Sequence, residues 1–221
     1  MSTVRSKKWR ELAPGSLVFT CSWSDFFHED ADEWREQAWD VIRERSDLTW
    51  QILTKRPERM LEHLPADWGD GWPHVWLGVS VENRRFVRRA DLLRQVPAAV
   101  RFISAEPLLG PLCEWMFCST CSLEGPDPHC GECEGVEYWL LQDGLDLTDI
   151  DWLICGGESG AGHRPMRIEW MRDLLELAQL YETAFFCKQD SGSRPGRQGR
   201  IPDDIWQVKE FPSINQEELS A

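Results

Sequence analysis

The sequence predicts an α/β fold, a parallel sheet or barrel with its functional groups gathered at the carboxyl ends of the strands. Three observations lead there. Six short apolar runs recur along the chain (LVFTCSWSDFF, WQILTKRP, HVWLGVSVEN, RFISAEPLLG, DWLICGGESG and TAFFCKQDSG), and each ends in polar or charged residues. Several are followed by apolar residues at helical spacing, the change of period expected of strand–helix units. The 221 residues, 13 of them tryptophan, also carry enough apolar surface for the core of one such domain.

In chain order, residues 1–15 are basic and unpatterned and read as a flexible lead-in. The first strand is expected over 17–23, ahead of SDFFHED. Trp34, Ala38, Val41 and Ile42 then mark a helix with Asp32 near its start. A second strand over 50–53 runs into TKRPERM, where Pro57 suits the first turn of a short helix. The third strand, 75–79, precedes NRRFVRRADLLRQVP, with Phe86, Ala90, Leu93 and Pro97 on one face. Arg84, Arg85, Arg88 and Arg89 crowd the start of that segment, against the helix dipole, so they imply either a solvated face or an anion site. The fourth strand is expected over 100–104 and the fifth over 152–155. A helix striped by Ile168, Met171, Leu174, Leu175, Ala178 and Tyr181 leads to the sixth, 184–187. SGSRPGRQGR is a Gly/Arg-rich loop able to approach phosphates or a partner backbone. IPDDIWQVKEFP packs back through Ile205, Trp206 and Val208, and residues 214–221 read as a frayed tail.

A formal net charge of −14 opposes non-specific attraction to nucleic acid or anionic membrane, though a local basic groove stays open. No apolar run approaches the ~18–20 residues of a membrane span, and MSTVRSKKWRELAPG lacks a signal-peptide core. The expectation is a protein of the cytoplasm, without membrane partners.

Of eight cysteines, Cys21, Cys155 and Cys187 fall on strand runs, where buried thiols are ordinary. The insertion at 113–135 holds Cys118-x-x-Cys121 and Cys130-x-x-Cys133. Two such knuckles supply four thiolates for a closed structural zinc site, with an iron–sulfur cluster as the competing occupant. His129 is a possible substitute ligand, and Cys113 reads as a bystander. A fourth thiolate closes the open position that catalytic zinc requires.

SDFFHED, LTKRPERM, WLGVSVEN, RFISAEPLLGP, GGESG followed by RPM, and FFCKQ together resemble a phage and prophage protein family with a radical-SAM-like partial barrel. That family is often encoded beside a three-Cys-motif partner protein. The likeness runs from about Leu17 to Pro212, the insertion excepted. It implies a partial (β/α) barrel of the radical-SAM type in the cytoplasm of a bacterial host; with the zinc-knuckle insertion read from the cysteine spacing, the domain is expected to span 16–213. The likeness also implies S-adenosylmethionine and a [4Fe–4S] cluster. Family members hold that cluster on an N-terminal three-cysteine motif, whereas no cysteine precedes Cys21 here. Cluster and cofactor are therefore expected only if a further segment, or a partner chain, supplies the motif.

By position at the strand exits, Ser80, Glu82, Asn83, Ser104 and Glu158 are candidates to hydrogen-bond a cofactor's ribose or ammonium. Asp25, His28, Lys55, Glu106 and Lys188 are candidate catalytic groups. Asp25 and His28 read as a proton-transfer pair, while Lys55, Arg56 and Lys188 suit a carboxylate or phosphate. Each has a plainer alternative: Glu106 before Pro107 caps a loop, and Asp25 caps the next helix. Three functions follow. One is a radical-SAM-like enzyme component for nucleotide or nucleic-acid modification, incomplete without its cluster segment. The second is a non-catalytic, zinc-stabilised binding or assembly module. A metal-dependent hydrolase using Asp25, His28 and the strand-end glutamates is weaker, because its ligand spacing is unrecognisable.

Overall fold

The computed structural model describes residues 11–113, 115–116, 139–140 and 144–213. Cys118, Cys121, His129, Cys130 and Cys133 lie outside the described residues, as do most of the expected lead-in and the whole of the expected tail.

The strands are β1 (Leu17–Phe19), β2 (Thr49–Thr54), β3 (Val75–Ser80), β4 (Val100–Ala105), β5 (Trp115–Met116), β6 (Trp139–Leu140), β7 (Trp152–Gly156) and β8 (Ala184–Gln189). Six of them form one all-parallel sheet in the order β1-β2-β3-β4-β7-β8, a half barrel, while β5 and β6 make a small antiparallel pair. Spatial order that follows chain order is the singly wound arrangement of (β/α) barrels. A doubly wound sheet would instead reverse its order midway and carry helices on both faces.

The helices are α1 (Asp32–Glu44), α2 (Arg88–Arg94), α3 (Ile168–Leu180) and the single turn α4 (Asp203–Trp206). They cover the outer face. Ile52, Leu77, Val79, Ile103, Leu153, Cys155, Phe185 and Cys187 point into a continuous core shared with Trp39, Ile42, Leu93, Met171 and Leu174. Residues of opposite parity, Trp76, Val100, Phe102 and Trp152, form a second cluster on the inner face, flanked by Leu53, Ile154, Ala184 and Phe186. The period-2 alternation of strand side chains separates the two. None of the described helices is long and apolar enough to cross a membrane.

Several boundaries differ from the sequence reading. β1 stops at Phe19, because Cys21 adopts φ 53 and turns the chain, so Cys21 lies beyond the strand. Asp32, expected near the start of α1, is its first residue; Ala31 occupies the cap position, and the Asp32 carboxylate binds Arg35 and Arg59. The arginine-rich segment splits into a 3-10 turn, Arg84–Phe86, and the shorter α2, leaving Phe86 and Pro97 outside that helix. Leu177 joins the buried stripe of α3. The β8 edge is covered by residues 208–210: Cys187 donates to Val208, Glu210 donates to Phe185, and Phe186 bridges Lys209 antiparallel.

Candidate functional site

A parallel half barrel has an open inside, and here it forms a groove of about 630 Å3. Small-molecule sites typically occupy about 300–1,000 Å3. Its floor is made of inward-facing strand residues: Phe19, Gln51, Leu53, Phe102, Trp152, Ile154 and Phe186. Phe102 lies flat over Gly78 of β3, where any Cβ would collide with the ring. Trp152 meets Trp76 and Phe186 edge-on, at 5.7 and 5.9 Å between ring centres. The indole N–H of Trp76, buried in this cluster, has no partner among the described residues. Phe19 remains 48 % exposed, so part of the aromatic surface faces solvent.

Above the floor sits a polar rim of Ser104, Glu106, Glu158, Ser159 and Lys188. The Lys188 ammonium donates to Glu106 at 2.6 Å, joining the exits of β8 and β4 across the groove. Glu158 is clasped by Arg164, whose side chain donates to both carboxylate oxygens at 2.9 and 2.7 Å and whose backbone N–H donates at 2.7 Å. Those side-chain and backbone hydrogen bonds from Arg164 hold the Glu158 carboxyl down at about 2. It is thus a fixed anion near neutral pH and no proton donor.

The exits of β1 to β3 form an adjoining lattice. Asp25 accepts from the Phe27 and Lys55 backbone N–H groups, the Thr54 hydroxyl and the Arg56 guanidinium. Glu82, 6 % exposed, is held between the Lys55 ammonium and Arg89. Arg89 also donates to the Ser80 carbonyl at 2.7 Å and lies 4.1 Å over the Phe86 ring. One arginine of the crowded segment is thereby explained as the partner of a buried acid. Asn83 caps the following 3-10 turn by accepting from the Arg85 N–H.

Four sequence-designated residues, Ser104, Glu106, Glu158 and Lys188, therefore meet in one groove. Asp25, Lys55, Ser80, Glu82 and Asn83 gather beside it. The His28 backbone N–H donates to the Asp25 carbonyl at 3.2 Å, while its Nδ1 accepts the Asp30 N–H and caps the turn before α1. The floor residues were missed, as were Arg164 and Ser159, while Arg89 was expected on a solvated face or an anion site and is instead the partner of Glu82. The signal for the floor was the parity of the strand positions, which marks one face for the helices and the other for the groove.

A family model described as a protein of unknown function (DUF5131) matches residues 3–207. The chain belongs to this DUF5131 family. No curated protein and no solved structure is significantly similar to it.

The described cysteines do not fit a cluster in that groove. Cys155 and Cys187 are neighbours across β7 and β8 but point into the helix-covered core. Burial pushes the Cys187 thiol up to about 11 and raises Cys155 well above its ordinary value, so both stay protonated. Among the described residues no group of three or more His, Cys, Asp or Glu is placed to hold a metal. A second depression, about 930 Å3, lies at the opposite end of β7 and β8 and is lined in part by Asp149, Asp151, Glu182 and Glu210.

Proposed function

We propose that the chain is the nucleoside-binding component of a radical-SAM-like enzyme for nucleotide or nucleic-acid modification, with the cluster supplied by another segment or a partner chain. The single observation that carries this reading is the open inner face of the half barrel. An aromatic floor suited to a planar base lies beneath a rim of hydroxyl, carboxylate and ammonium groups. Ser104 and Ser159 suit a ribose; Glu106 and Lys188, which pair with each other when no ligand intervenes, suit an ammonium and a carboxylate. S-adenosylmethionine carries all of these features, and when bound it would supply radical chemistry through an external cluster. The described residues contribute binding and orientation only.

A specific observation favours the second reading, a binding or assembly module stiffened by zinc at Cys118, Cys121, Cys130 and Cys133. Asp25, Glu82, Glu106 and Glu158, each at or near a strand exit, are all engaged by Arg or Lys. Such pairing serves a scaffold better than it serves proton transfer. The two readings separate on co-expression with a chain carrying the three-cysteine motif, purified without oxygen. The enzyme reading expects iron-dependent reductive cleavage of S-adenosylmethionine by the complex and zinc in this chain. A folded, iron-loaded complex without cleavage would leave the binding module.

A further inference from the structure

The chain is strongly acidic overall, yet the loops leaving β7 and β8 are not. Residues 191–200 carry Arg194, Arg197 and Arg200 and no carboxylate. This loop is tied by its backbone to the groove residues Glu158 and Ser159. Ser159, a groove residue, forms a parallel bridge with Gly192, and Gly160 and Gly192 donate to the Gly192 and Glu158 carbonyls at 2.9 and 3.0 Å. The approach is close enough that a side chain at Gly157 would strike the Ser191 backbone. Asp190, 3 % exposed, anchors the base of the loop: it accepts from the Arg200 side chain at 2.9 and 2.7 Å and from the Arg200 N–H at 2.8 Å.

These anchors determine which charges remain outward. Arg200 is consumed by Asp190 and Arg164 by Glu158. The acids that follow are engaged too: Asp203 accepts from Gln198, and Asp204 pairs with Arg172. Arg194 and Arg197 are exposed and have no ion-pair partner among the described residues. Two unpaired guanidinium groups, set on a glycine-rich loop beside an aromatic groove, are the components of a single-strand site. Bases stack on the rings and the backbone follows the positive rim.

We infer that residues 191–200 form a phosphate-binding rim that holds the backbone of a single-stranded nucleic acid while one of its nucleotides occupies the aromatic groove. This deepens the proposed function and rests on its reading of the groove as a nucleoside site. It also answers the objection from net charge. A local basic rim can attract a phosphate backbone although the net charge of the chain is −14.

The test is fluorescence anisotropy with labelled single-stranded DNA and RNA of about 15 nucleotides, and with a duplex of equal length, across a salt series. Arg194→Ala/Arg197→Ala is compared with the unaltered chain, thermal unfolding confirming that both are folded. Loss of two phosphate contacts is expected to weaken single-strand binding roughly tenfold and to reduce the salt slope by about 1.4. The variant should still bind free adenosine like the parent. Preference between DNA and RNA identifies the source of the strand. Absent single-strand binding, stronger binding to the duplex, or unchanged affinity and salt slope in the variant would overturn the rim. A groove-filling Ser104→Trp chain is expected to lose adenosine binding and to bind single strands more weakly; lost adenosine binding with unchanged single-strand affinity would keep the groove reading and overturn the placing of a strand nucleotide in it.

Discussion

Glu158 and Arg164 set the chemistry of the rim at the scale of single residues. A carboxylate receiving three hydrogen bonds from one arginine is favoured in its charged form, and its value near 2 expresses that. The sign follows directly. The folded value lies below that of an unfolded glutamate, so the pair's stabilisation is complete above about 4.5 and is lost as pH falls through about 2. A carboxyl-detected NMR titration should place Glu158 near 2, and Arg164→Ala should return it toward the ordinary glutamate range. An unchanged midpoint in the variant would refute this cause. The position of Glu158 at a strand exit was legible in DWLICGGESG. Its engagement was not, because Arg164 lies in an irregular loop whose residues follow no period. The same limit applies to Asp25, read as one half of a proton-transfer pair. Three of its four partners, Thr54, Lys55 and Arg56, come from the exit of β2 and are adjacent only once the strands pair.

At the scale of elements, the outer layer bears the stability and leaves the inner face available. Trp39 of α1 is fully buried among Phe26, Phe27, Trp68 and Trp72, and its indole donates to the His63 carbonyl at 3.0 Å. Trp39→Ala empties the centre of that aromatic cluster and is expected to cost about 3–5 kcal/mol in urea unfolding. A loss below about 1 kcal/mol would mean that the helix layer collapses into the cavity. The six main strands were legible because each apolar run is bounded by turn formers, β1 included although Leu17 and Phe19 are exposed. Their inner face was harder to read. In β4, Phe102 and Ile103 are both apolar and buried, and composition alone does not say that one faces the groove and the other a helix. Curvature decides this, and curvature is a property of the whole sheet. The end of β1 was misjudged for a related reason. The apolar residues after Phe19 continue the pattern, but Cys21 has already left extended conformation.

On the scale of the whole molecule, the half barrel places an aromatic, ligand-sized groove at one end of an acidic protein and rings it with paired charges. Fold class and the location of the polar residues were readable from recurring strand exits. The groove was not, since it exists only where an incomplete barrel leaves its interior open. The enzyme reading and the phosphate-binding rim both depend on that interior accepting a nucleoside. The most direct measurement is calorimetric titration of adenosine and S-adenosylmethionine into the unaltered chain and into Ser104→Trp, with thermal unfolding confirming that the variant is folded. Saturable one-to-one binding that disappears when the indole fills the groove is the expected result. No binding to the unaltered chain, or equal binding to both, would contradict the nucleoside site.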